Sequence, residues 1–151
     1  MTDRGAAVTK QRVWRKCLHL PAPERRLLLE AFLLTLLVRG GLGLLGYRRL
    51  QALLAPLARP RRSPPLSLDR VSWAVLAVNA RLPGSGTCLA QAMAAQILAG
   101  REGHPSQLRF GVARDPGAPL QAHAWLESRG EVVVGGAGLR HFTPLEDSRH
   151  P

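Results

Sequence analysis

The 151-residue sequence predicts one α+β domain, and three observations carry that reading. Helical patterning fills the first two thirds of the chain. Three short alternating segments separated by turn residues follow it. A Gly-rich turn at the junction leads into the last helix and carries a cysteine. Helices first and an antiparallel sheet afterwards make an α+β order. The length suits a single domain, which buries roughly 70% of its unfolded surface.

Residues 1–20 form a basic lead-in holding Trp14, Leu18 and Leu20. Pro21 and Pro23 then open a helix to about Val38, with Glu24 near its positive end. This helix is apolar nearly all round, which predicts burial in a helical subdomain over 21–58. Gly40 and Gly41 are expected to end it. A second helix, about Leu42 to Leu57, carries Tyr47, Leu50, Leu53, Leu54 and Leu57 at helical spacing. The proline- and arginine-rich stretch 59–68 reads as a linker. A core unit follows over 69–145, and 146–151 reads as a polar tail. Ser67 or Asp69 can cap a helix over about Arg70 to Ala80, with Val71, Ala74, Val75 and Val78 as its inner stripe. The turn from Leu82 runs through Gly84, Ser85, Gly86 and Thr87 into a helix over Leu89 to Leu98, closed by Gly100. Cys88 therefore stands at a helix N-terminus. Strands are predicted over Leu108–Arg114, Gln121–Ser128 and Glu131–Val134, with turns at Asp115-Pro116-Gly117 and Arg129-Gly130.

The formal charge is +11, almost all of it arginine. The arginines are spread along the chain and no aromatic residues interleave with a basic run, so nucleic-acid binding is not expected. Composition bias toward Ala, Gly, Leu, Arg and Pro accounts for most of the charge, and an acidic peptide partner is compatible with it. Two cysteines, Cys17 and Cys88, do not make a disulfide scaffold. The polar N-terminus has no apolar signal core, so a cytoplasmic protein with free thiols is expected. Leu27 to Gly46 is apolar over about a membrane's thickness. Glu30, Arg39 and the Gly40, Gly41, Gly43 cluster favour a buried helix pair over a span, with weak membrane contact through residues 27–46 as the alternative.

A cysteine nucleophile must be a thiolate. A model thiol titrates at about 8.5, and the N–H groups and dipole of a helix start favour the anion. The same N–H groups suit an oxyanion. Gly84, Ser85 and Gly86 would let a peptide approach the backbone closely. An ordinary buried thiol is the plainer alternative for Cys88. Cys17 has no helix start beneath it. Among the five histidines, His123 lies mid-strand between alanines, with Trp125 two residues along on the same face. His19, His104, His141 and His150 lie in the lead-in, in turns or near the end. Cysteine at a helix start followed by histidine on a strand is the layout of papain-like acyl transfer. No zinc spacing and no phosphate-binding glycine loop are present, so no metal or cofactor is expected.

Four runs carry a family resemblance: Thr87-Cys88-Leu89-Ala90-Gln91-Ala92, Phe110-Gly111-Val112, Ala122-His123-Ala124-Trp125-Leu126-Glu127 and Val132-Val133-Val134-Gly135-Gly136. With Glu24 to Ala31 upstream, they resemble the transglutaminase-like core of lasso-peptide maturation proteases, over roughly residues 12–145. The sequence is most similar to the stand-alone leader-peptidase half of the split B protein, since no leader-recognition module precedes it. The resemblance implies a transglutaminase/papain-like cysteine peptidase with Cys88 and His123 catalytic and Trp125, Gly86 and Thr87 beside the substrate. It implies three partners: the precursor leader, a separate leader-recognition protein and an asparagine-synthetase-like lasso cyclase. Another acyl transfer, or a scaffold that binds the leader and recruits the cyclase, are the alternatives.

The third residue departs from the resemblance. With Arg129-Gly130 as a two-residue loop, Ser128 pairs with Glu131, Trp125 with Val134, Ala124 with Gly135 and His123 with Gly136. The carboxylate expected opposite the histidine thus falls on glycine. Glu127 shares the His123 face but lies about 13 Å along the strand. Asp115 and Asp147 are loop donors without positional support. A backbone carbonyl is the remaining way to orient His123.

Overall fold

The computed structural model describes residues 20–61, 64–84, 87–114 and 116–145, with only the backbone of Thr87. The expectations for the lead-in, the tail, Cys17, His19, Gly86, Asp115, Asp147 and His150 lie outside these residues. The order is α1 (Ala22–Leu45), α2 (Tyr47–Leu54), a 3₁₀ turn (Ala55–Ala58), α3 (Leu68–Asn79) and α4 (Thr87–Arg101). Then come β1 (Gln107–Ala113), β2 (Gln121–Ser128), β3 (Glu131–Val134), a second 3₁₀ turn (Leu139–His141) and β4 (Thr143–Pro144). The fold is α+β, as the order of patterns predicts.

Helix α1 does not stop at Gly40 and Gly41. It runs on to Leu45 and ends at Gly46, whose φ of +72° suits glycine and whose N–H bonds Leu42 O. Gly41 is there for packing: a Cβ on it would press into the Leu50 side chain of α2. Burial also differs from expectation. Leu27, Ala31, Leu34 and Val38 form a fully or nearly buried stripe, but the opposite face is open, with Leu29 58% exposed. An all-round apolar helix is thus covered on one side only.

Helix α3 begins two residues early, after Ser67, whose side chain makes no capping bond. Helix α4 is the centre of the molecule, packed against α1, α3 and the sheet. Its inner residues are mostly alanines, with Met93, Ile97 and Leu98, all buried. Small side chains let neighbours approach from every side. Two bonds secure its far end: Arg101 Nε donates to Leu57 O, and the Leu66 N–H donates to Glu102.

The antiparallel sheet has the order β3-β2-β1-β4, with β2 inside. Arg129 (φ 52°) and Gly130 (φ 83°) form the tight turn between β2 and β3. Ser128 pairs with Glu131 as expected, but the register then slips. Leu126, not Trp125, faces Val134, because Val133 is an extra residue in a β-bulge. The Val133 carbonyl accepts a bond from Ser72 Oγ on α3 (2.7 Å). A fourth strand, near the end of the core unit where none was expected, pairs with β1 at Gly111 and Val112.

The two sheet faces differ in character. Leu126 and Val134 join the core formed with the helices, and Phe110 meets Tyr47 of α2 edge-to-face at 5.3 Å. Leu126 is completely buried where β2 meets this core. Leu126→Ala is expected to cost about 3 kcal/mol, read as a shift in the denaturant midpoint by circular dichroism.

Candidate active site

Cys88 is the second residue of α4, a free thiol and half-buried. It stands in the first turn, where backbone N–H groups lack partners within the helix. The turn before it is braced from α1. Arg39 Nη2 donates to Pro83 O at 2.7 Å. Gly84 (φ 117°) is the next residue, and a Cβ on it would collide with the Arg39 guanidinium. Arg39 thus braces the backbone at Pro83 and Gly84, upstream of Cys88. Its place in an otherwise apolar run, where a charge is costly, was the one signal for it in the sequence. Arg39→Ala is expected to keep the fold and to loosen the backbone at Pro83 and Gly84, read as faster amide hydrogen exchange there.

His123 lies on β2 and is half-buried. Its ring stacks on Phe142 (centroids 4.9 Å) and on Trp125 (6.2 Å). Its Nε2 lies 2.7 Å from Gly135 O. A carbonyl only accepts, so Nε2 carries the proton and Nδ1 is left as the basic nitrogen. The backbone of Gly135 therefore holds the imidazole where a carboxylate was sought. Glu127 is engaged elsewhere, accepting from Trp125 Nε1 (2.7 Å) and from Arg109 Nε (3.2 Å). Trp125, expected beside the substrate, is only 2% exposed, and its ring backs the imidazole. Phe142 is the ring contact that sequence reading missed, since it precedes a strand of only two residues.

The other described histidines are placed apart from this pair. His104 bonds Leu66 O through Nε2 beside the end of α4. His141 is exposed on the second 3₁₀ turn. Among the described residues no cluster of three His, Cys, Asp or Glu could hold a metal.

The structure brings the two elements into direct packing, since α4 lies on β2. Helix α4 ends where β1 begins, with His104 N–H bonded to Ala99 O and Ser128 Oγ to Pro105 O. These bonds fix the C-terminal end of α4 beside the strands. Alternation sets His123, Trp125 and Glu127 on the face away from Leu126 and the helices. His123 thus lies on the sheet face turned away from α4, the helix that carries Cys88. Gln121 and Ala122, at the start of β2, are exposed.

Comparison with curated proteins and with solved structures gave no match. A family model described as transglutaminase-like superfamily matches residues 32–147. That span runs from within α1 through α4 and the whole sheet, and so takes in Cys88, His123 and Gly135. The superfamily includes cysteine peptidases and acyl-transferases, consistent with cysteine at a helix start and histidine on the adjoining sheet. This chain belongs to the transglutaminase-like superfamily.

Proposed function

We propose that the chain is a cytoplasmic cysteine peptidase that removes the leader from a ribosomally made lasso-peptide precursor. One observation supports this most. The imidazole of His123 is oriented by Gly135 O, with Nδ1 left basic, on the strand that packs against the Cys88 helix. In the proposed reaction the Cys88 thiolate attacks the carbonyl carbon at the end of the leader. N–H groups at the start of α4 stabilise the oxyanion. The His123 imidazolium gives its proton to the departing nitrogen, and the C–N bond breaks. Water then attacks the thioester, His123 takes its proton, and the C–S bond breaks. Gly86 and Thr87 lie beside the scissile bond in this reading.

The proposed partners are the precursor, a separate leader-recognition protein and the asparagine-synthetase-like cyclase that uses the freed amine. Tethering by the recognition protein raises the effective concentration of the leader. The test is cleavage of a synthetic precursor by the purified chain, with and without that protein, followed by mass spectrometry. Faster cleavage with the partner and a hydrolysed leader are expected. Equal rates would remove the recognition step. An amide-exchange product would assign acyl transfer instead. Unchanged precursor in every condition, beside normal peptide binding, would assign the scaffold role.

A further inference from the structure

The open face of α1 carries an apolar strip that the catalytic reading does not use. Leu29, Phe32, Leu33, Leu36 and Leu37 all lie on it, with Leu33 55% and Leu37 50% exposed. No polar side chain breaks the exposed face from Leu29 to Leu45; Glu30 and Arg39 sit at its margins. The strip is bracketed by charge. Exposed Arg25 and Arg26 precede it, and exposed Arg48 and Arg49 follow it on α2. Trp73 of α3, itself exposed, lies beside Glu24 at the same end as Arg25.

We propose that this face docks on an anionic lipid surface, with α1 lying in the plane of the interface. The helix is long and apolar enough to cross a bilayer by length and composition alone. Crossing would strip Leu27, Ala31, Leu34 and Val38 from the core and bring the half-buried Glu30–Arg101 ion pair into hydrocarbon. Lying flat keeps the core and buries only the strip. Leucines and phenylalanine inward, arginines at both ends and a tryptophan at the rim form the interfacial pattern. Charge complementarity points to acidic headgroups, since paired arginines bracket the strip at both ends, Glu24 and Asp69 beside Trp73 are accompanied by Arg70, which pairs with Glu24, and the whole chain carries +11. A protein partner would be met by hydrogen-bonding groups spread through the contact, which this strip lacks. Docking would hold the peptidase at the membrane, a placement separate from its chemistry.

The test is flotation of the full chain with phosphatidylglycerol/phosphatidylcholine vesicles and with phosphatidylcholine vesicles. Binding to the acidic vesicles, at least tenfold weaker to the neutral ones and weakened by salt, is expected. Arg25→Gln with Arg26→Gln should weaken binding about tenfold or more, as should Arg48→Gln with Arg49→Gln. Leu33→Glu with Leu37→Glu should abolish it; both side chains are solvent-exposed, so circular dichroism should be unchanged. Quenching of tryptophan fluorescence by brominated lipid gives a second reading on the unaltered chain. The proposal is overturned if the chain stays with the soluble fraction in acidic vesicles. It is equally overturned if the chain is a dimer that Leu33→Glu converts to monomer, because a second copy then covers the strip.

Discussion

Cys88→Ala is expected to lower kcat/KM for leader cleavage about 10⁴-fold or more, with the melting temperature almost unchanged. The sulfur is the group assigned to form the acyl intermediate, and a hydroxyl such as that of Thr87 is a far weaker nucleophile. The fold should not notice the change. Cys88 is half-buried in the first turn of α4, and alanine keeps the helix propensity. Binding of the precursor should persist, because the proposed function assigns leader capture to the recognition protein. Mass spectrometry of the product and isothermal titration of the leader separate the two effects. Loss of binding together with cleavage would mean that Cys88 shapes the fold instead.

Gly135→Asp is expected to damage the protein, although it places a carboxylate where the family resemblance leads one to seek it. Gly135 has φ of +87°, a conformation that L side chains rarely adopt. A Cβ there would also lie 2.9 Å from Trp125 Cβ and 3.0 Å from Ala124 O. Strain and overpacking together should cost about 3 kcal/mol, lowering the melting temperature by about 10 °C. The shifted strand would also displace the carbonyl that holds His123, so activity should fall as well. Gly136→Asp is the control. Its nearest neighbour, Val132 Cγ1, is 3.3 Å from a built Cβ, and its φ is not positive. It should change stability by less than about 1 kcal/mol. A gain of activity in Gly135→Asp would mean that the carbonyl is a poor substitute for a carboxylate.

The strands were legible because alternation and turn chemistry coincide there. Gln121–Ser128 and Glu131–Val134 keep their predicted bounds, and Arg129-Gly130 takes the positive φ values that a two-residue hairpin turn requires. The bulge was not legible. Val133 is one more valine in a valine run, and nothing in composition marks the residue that falls out of register. That single slip decides which backbone group faces His123. Glycine misled in α1 because it has two uses: Gly46 ends the helix by its φ, whereas Gly41 only makes room for Leu50. The open face of α1 could not be read either. An apolar helix has the same sequence pattern whether it is covered on one side or on all. Arg39 and Phe142 come from distant segments, and only the packing of α1 and the pairing of β4 bring them to Pro83 and to His123.

Whether Cys88 and His123 act as one unit is tested most directly by a double-mutant cycle on kcat/KM. Cys88→Ala, His123→Ala and the double variant would be assayed on the same precursor with the recognition protein present. Each single change should remove nearly all the cleavage, and the double variant should be no worse than either one. His123→Ala retaining the rate of the unaltered chain, or losses that multiply in the double variant, would contradict the pairing.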